Sequence, residues 1–266
     1  MKKRVISAIV AYAIVIPLII LGGIYFAIGV TVIALLAYKE LAALRHEGKK
    51  IPKFIKYLGG GLLAFIILNS YNVETFTMVL NYKILAALIL SLFIPVLIYK
   101  DSKKYNTDDA LYLTGSIILL GIVFSILIYL RNFDLKYLIL FIIVTTITDI
   151  FAYTFGCLIG RTELLPEISP NKTWEGAIMG SLVGTFVSVS YYLAIINPDA
   201  SILKISLCIL LLTFIGQLGD LVFSSMKRLH NIKDFSNIMP GHGGILDRLD
   251  SLILVLLAFM LLINII

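Results

Sequence analysis

The chain has 266 residues, 60% of them apolar and only 14% charged, with 22 Lys and Arg against 16 Asp and Glu for a formal charge of +6. Soluble domains run at about 45–50% apolar and about 25% charged, so a mean hydropathy of +1.00 excludes a water-soluble domain, a disordered chain and a disulfide scaffold. A helix crosses the ~30 Å hydrocarbon layer in about 20 residues. The ~10-residue alternating segments of a membrane β-barrel are missing from the sequence, and the composition predicts an all-α polytopic membrane protein.

Nine spans are read in chain order. Met1-Lys2-Lys3-Arg4 opens like a signal peptide, but no small-residue cleavage site follows, so 5–21 is a retained first helix. Gly22-Gly23 divides the first long apolar run into a helical hairpin of 5–21 and 24–38. Further spans fall at 57–70 (with Gly59-Gly60-Gly61), 82–99, 110–130, 137–160, 174–196, 202–223 and 246–266. Cys157 and Cys208 lie inside apolar runs and read as packing residues rather than a disulfide or a metal pair. No internal repeat is visible. Residues 1–266 form one integral membrane domain, with N-terminal spans in 1–135 and the spans richest in intramembrane acids in 136–266.

Basic residues mark the cytoplasmic side of a membrane protein. Nine spans with the N-terminus inside place 18 Lys and Arg in cytoplasmic segments and only 4 outside (Lys83, Arg131, Lys136 and Lys204). The asymmetry predicts a cytoplasmic N-terminus and an external C-terminus. It also accounts for the basic balance without nucleic acid, and basic loops suit anionic lipid headgroups.

An Asp at a helix centre costs about 2.5–3.5 kcal/mol on insertion scales, which makes an intramembrane carboxylate a functional candidate. Asp149 lies in span 137–160, Asp220 near the inner end of 202–223, and Asp247 and Asp250 open the last span. Any one of them could simply cap a helix or pair with an interfacial cation. Four on one side, beside two polar loops, weigh against that. Asp149, Tyr153 and Gly156 share one helix face, as do Asp220, Ser224 and Lys227, and Asp247, Asp250 and Ser251. Two helices can thus each offer a carboxylate to one cytoplasmic cavity, and hard oxygen ligands suit Mg²⁺.

The loop 224–250 crowds Lys227, Arg228, Lys233 and Arg248 with acids, histidines and Gly241, Gly243 and Gly244. A positive-inside loop explains its cations but not the rest. A second loop, 161–176, contains Ser169-Pro170-Asn171-Lys172-Thr173, read as a turn that presents Lys172, and Trp174, read as an interfacial anchor. His46, His230 and His242 lack metal-ligand spacing.

Ser224-x-Met226-Lys227-Arg228, then Lys233-Asp234, then Pro240-x-His242-Gly243-Gly244-x-x-Asp247-Arg248-x-Asp250 resembles the signature of the phosphatidate cytidylyltransferases, or CDP-diacylglycerol synthases. Upstream, Asp149 with Ala152-Tyr153, Gly156 and Gly160-Arg161, the run Ser169 to Gly176, and Gly219-Asp220-Leu221 resemble the family's other polar segments. The likeness is strong over 140–266; the first 135 residues match only as hydrophobic spans. Met239 stands where the family more often has Leu, Ile or Phe.

The resemblance implies that CTP and phosphatidic acid give CDP-diacylglycerol and pyrophosphate, at the cytoplasmic face of the cell (inner) membrane, in a homodimer. It implies Mg²⁺ on Asp220 and Asp247, with a second cation such as K⁺ completing a pair. Asp220, Asp247, Lys227 and Arg228 are the implied catalytic set. Lys172 and Lys233 would join Lys227 and Arg228 in neutralising phosphates, and Asp149 and Asp250 would orient cations. His242-Gly243-Gly244 would form a backbone wall, with Ser169, Asn171, Ser224, Asp234 and Arg248 completing the substrate-binding set. Two other readings stay open. One is a CTP-dependent transferase acting on an ether lipid or polyprenol. The other is an ion-coupled transporter using Asp149 and Asp220, although transporter sites favour the midplane between repeats.

Overall fold

The computed structural model describes residues 2–44, 51–72, 81–99 and 104–263. Arg45, His46, Lys49, Lys50, Lys100 and Lys103 of the basic segments, and the end of the last span at Ile266, lie outside the described residues. Among the described residues are nine α-helices and one two-stranded hairpin. Helices 23–44, 107–133, 135–159, 174–196 and 202–229 are long and apolar enough to cross a membrane. Those at 53–69, 82–98 and 246–262 have 17 residues each, about 26 Å of rise and the lower limit for a crossing. Large apolar side chains face outward, with Leu97 and Leu261 each 84% exposed and Phe186 73%. Only hydrocarbon suits such a surface, and the protein is an all-α polytopic membrane protein.

The chain forms two compact units, 1–133 with 234–246, and 134–233 with 247–266. The first holds α1 (Lys2–Leu21), α2 (Gly23–Leu44), α3 (Lys53–Asn69), α4 (Tyr82–Ile98) and α5 (Thr107–Phe133). Gly22 and Gly23 separate α1 from α2 with φ of +63° and +54°, a left-handed conformation that favours glycine. Arg131 of α5 donates to the last carbonyls of α1, Nε to Ile19 O at 2.6 Å and Nη2 to Ile20 O at 3.0 Å. One of the four cations assigned to the outer side is thus a helix cap. Asn106 and Asp109 start α5 with a reciprocal capping box, each side chain accepting from the other's amide (2.9 and 3.1 Å). Leu113, Ile117, Leu120 and Phe124 then bury one face of α5 at helical spacing.

The second unit holds α6 (Leu135–Ile159), strands β1 (Glu163–Leu165) and β2 (Ser169–Thr173), α7 (Trp174–Tyr191, continued by a π-turn to Ile196), α8 (Ile202–Leu229) and α9 (Leu246–Leu262) after its first residue. The Ser-Pro-Asn-Lys-Thr segment is a strand, not the expected turn; residues 166–168 make the turn. A two-stranded ribbon leaves an open edge where Pro170 forfeits no ladder bond. Small residues let α6 and α7 approach closely. A Cβ on Gly180 would lie 2.7 Å from Ala152 Cβ and 2.8 Å from Thr148 O, and one on Gly176 would lie 2.5 Å from Ala152 O. This is the small-xxx-small packing of membrane helices. Gln217 Nε2 on α8 ties α7 by donating to Ala177 O (3.0 Å) and Ser181 Oγ (2.7 Å).

Gly180→Ala should therefore lower the thermal midpoint of the detergent-purified protein, because overpacking costs about 1–3 kcal/mol. Gly115→Ala meets nothing within 4 Å and should raise it slightly, through helix propensity alone. Equal responses would mean that the α6–α7 approach is not tight.

Candidate active site

The site begins at the hairpin. Thr173 caps α7, its Oγ1 accepting from Gly176 N at 3.2 Å. The Glu175 carboxylate accepts from Arg161 N (3.1 Å), Thr162 N (3.3 Å) and Thr162 Oγ1 (3.0 Å), and Trp174 N donates to Thr162 O at 2.9 Å. The base of the ribbon is thus closed, and Lys172 leaves it one residue before the cap. Lys172 Nζ is 2.6 Å from Asp220 Oδ2 on α8, with the two side chains 27% and 29% exposed. Ser224 Oγ, one turn on, donates to Asp220 Oδ1 at 3.2 Å. Arg228 is exposed and donates from Nε to Ile168 O (3.2 Å) and from Nη1 to Ile232 O (3.4 Å), binding the hairpin turn to the chain that leaves α8.

A second ion pair is more enclosed. Lys227 Nζ donates to Asp247 Oδ1 at 2.7 Å, with side chains 10% and 4% exposed. The α8–α9 approach is set by Gly219, where a Cβ would fall 2.7 Å from Asp250 O. Asp149 interacts electrostatically with Asp220, Asp250 and Lys172, and Asp250 also with Asp220 and Lys227. Asp149, Lys172, Asp220, Ser224, Lys227, Asp247 and Asp250 therefore form one charged network in the second unit. Ser169 and Asn171 stand on β2, while Lys233 and Arg248 are exposed.

Asp234, His242, Gly243 and Gly244 belong instead to the first unit. Gly241 and Gly243 both have φ of +82°, and Met239 N donates to Gly243 O at 2.9 Å, closing a tight turn. Ser7 Oγ on α1 is hydrogen-bonded to His242 Nδ1 at 2.7 Å. The sequence reading missed Glu40, a buried acid beside this turn, and Gln217; Glu175 entered only as part of the run Ser169 to Gly176, with no role of its own. Glu40 follows Lys39 at the polar end of a span, so hydropathy assigned it to a loop. The run Glu-Leu-Ala-Ala-Leu is a helix former, and it carries α2 on to Leu44.

All the acids of the network are hard oxygen donors. Lysine ammonium groups sit against Asp220 and Asp247, where positive charge is demanded. Among the described residues no three Asp, Glu, His or Cys side chains close on one point. A divalent ion held by one or two carboxylates and completed by phosphate oxygens and water fits such a donor set, as is usual for Mg²⁺.

The two ion pairs should respond differently to loss of one charge. Breaking a buried pair strands the partner and costs about 3–5 kcal/mol, whereas exposed pairs are worth about 0–1 kcal/mol. Asp247→Asn should lower the thermal midpoint well beyond Asp220→Asn, and Lys227→Met combined with Asp247→Leu should recover most of the loss. A midpoint for Asp247→Asn equal to that of the wild type would contradict the enclosure of this pair.

Comparison with known proteins identifies the family. The profile of the cytidylyltransferase family matches residues 2–266. The chain is 34% identical over 257 residues to the phosphatidate cytidylyltransferase of Staphylococcus saprophyticus, covering 96% of each. It is 34% identical over 258 residues to that of Staphylococcus haemolyticus and 33% identical over 257 residues to that of Staphylococcus aureus, again covering 96% of both chains. With the match running through the N-terminal spans as well as the charged network, the chain belongs to the cytidylyltransferase family.

Proposed function

We propose that the protein is a phosphatidate cytidylyltransferase. A phosphate oxygen of phosphatidic acid attacks the α-phosphorus of CTP, the bond from that phosphorus to the bridging oxygen breaks, and pyrophosphate leaves with CDP-diacylglycerol as product. The observation that carries the reading is the network joining Lys172–Asp220 to Lys227–Asp247, in a family whose similar members are named for this activity. Both reactants are anions, so the barrier lies in charge repulsion and alignment. A phosphate monoester is already an anionic nucleophile, so no base of special pKa is needed.

Lys172 is accessible and fixed by the closed hairpin, which suits it to receive a phosphate oxygen. Lys227 holds Asp247, and Arg228 is better suited to positioning the hairpin than to meeting the triphosphate, because two of its donors are directed at carbonyls. Asp220 and Asp247 would hold Mg²⁺, which when bound supplies charge neutralisation at the phosphates. Asp149 and Asp250 add the negative field that favours a cation. The 18:4 distribution of basic residues supports a site facing the cytoplasm of the cell membrane, where CTP is found.

The purified protein should release pyrophosphate from CTP only when phosphatidic acid is supplied, and an ether-linked analogue assayed in parallel shows how strictly the glycerol linkage is read. Asp220→Asn should lower turnover by about 10²-fold or more, the scale of removing a preorganised electrostatic group. Lys172→Ala should lower kcat/KM for CTP at least tenfold, whereas Lys53→Ala, at an exposed position, should stay within twofold of wild type. Full activity in Asp220→Asn would place the cation elsewhere. For topology, Glu167→Cys and Asn237→Cys, both at exposed positions, should react only with reagent on the cytoplasmic face once Cys157 and Cys208 are replaced by Ser. Labelling from outside would overturn the orientation.

A further inference from the structure

Glu40 is one of the two most buried carboxylates of the described residues, 2% exposed like Asp109, and no cation pairs with it there. Neutral donors compensate its charge instead. Oε1 accepts from Ser236 Oγ at 2.5 Å and from Ile245 N at 2.8 Å, and Oε2 accepts from Leu246 N at 2.8 Å. Leu246 is the first residue of α9. Its amide is one of the unpaired donors at a helix start, where the helix dipole also favours negative charge. The fit is close on the loop side. A Cβ on Gly244 would fall 2.7 Å from Glu40 Cδ and 2.8 Å from Ser236 Oγ, so the glycine is required by the carboxylate beside it. Ser7 adds a second anchor, donating to Pro240 O at 3.1 Å as well as bonding His242.

We propose that Glu40 is a positioning residue for cytidylyl transfer: it fixes segment 236–246 and the start of α9, from which Asp247 follows as the next residue. The inference rests on the activity proposed above. A role in stability alone would be served by an apolar residue, since a buried charge is rarely the most stable choice for a site. What the carboxylate offers is two acceptor oxygens that bind one segment at residues 236, 245 and 246. Glutamine has the same size but one acceptor oxygen. Its Nε2 would meet either Leu246 N–H or the donors at Ser236 and Ile245, donor against donor.

The test uses the full chain with Cys157→Ser, Cys208→Ser and Asn237→Cys, and reads thiol-labelling rate and kinetics together. Glu40→Gln should speed labelling at position 237 at least fivefold. It should lower kcat at least tenfold while leaving KM for CTP within threefold, in protein that purifies as a folded species. Glu40→Asp keeps both acceptor oxygens and should restore part of both readouts. Wild-type labelling in Glu40→Gln, whatever its kcat, would overturn the proposal, as would aggregation of both variants, which would make Glu40 a folding residue. If the parent protein released no pyrophosphate from CTP and phosphatidic acid, the proposed activity would fail. The labelling contrast would still report whether Glu40 holds the segment.

Discussion

Lys227 and Asp247 meet at 2.7 Å with almost no access to solvent, and neither charge is tolerable there without the other. Much of the second unit can be read as a consequence of that requirement. The pair needs α8 and α9 close together, which Gly219 and Gly216 permit by leaving room for Asp250 O and Val255. It needs α8 to stay helical past the apolar run, so that Lys227 stands two turns after Asp220. It also needs a rigid neighbour to bring a balancing cation to Asp220. The hairpin provides this through the Glu175 carboxylate and the Thr173 cap. Helix packing through small residues and the charge network are thus one design: without the glycines the acids could not share an environment.

The helices were legible because hydrocarbon imposes a length and a composition on each crossing. Their ends were less so. Hydropathy reports where lipid stops, whereas a helix continues as long as its backbone bonds do. It therefore placed the end of α2 near Tyr38 and of α8 near Phe223, although they run to Leu44 and Leu229. The hairpin was hidden by Pro170 and Asn171, which signal a turn locally but are tolerated on the edge of a ribbon. Within the site, Asp220, Ser224 and Lys227 could be grouped because spacing along one helix is written in the sequence, and Ser224 does bond Asp220. Glu40 could not be found that way. Its partners lie 196 to 206 residues away, and nothing local marks an acid whose donors are backbone amides. Gly244 was read as a wall for phosphates; its closest neighbour is that same hidden carboxylate.

The protein holds its acids in two physically different ways, and the difference bears on what each can do. Glu40 is satisfied by amides and a hydroxyl that are fixed in the chain. Exchanging them for a ligand would leave buried backbone donors unpaired, at about 1–3 kcal/mol each, so this carboxylate can hold structure but cannot trade partners. Asp220 is satisfied by a lysine side chain in a partly open place. In the proposed reaction Lys172 would leave it for a phosphate oxygen without stranding a buried group, and Asp220 would then be a ligand for the cation that accompanies the phosphates. Asp247 stands between these cases, enclosed yet paired to a side chain rather than to backbone. On the proposed activity, an anionic substrate with its own counter-cation would be received by the exchangeable pair, while the enclosed pair would keep the second carboxylate charged and in place. In a site that must join two anions next to hydrocarbon, the placement of exchangeable and non-exchangeable charge is the functional constraint, and it explains why acids recur on α6, α8 and α9 where lipid alone would exclude them.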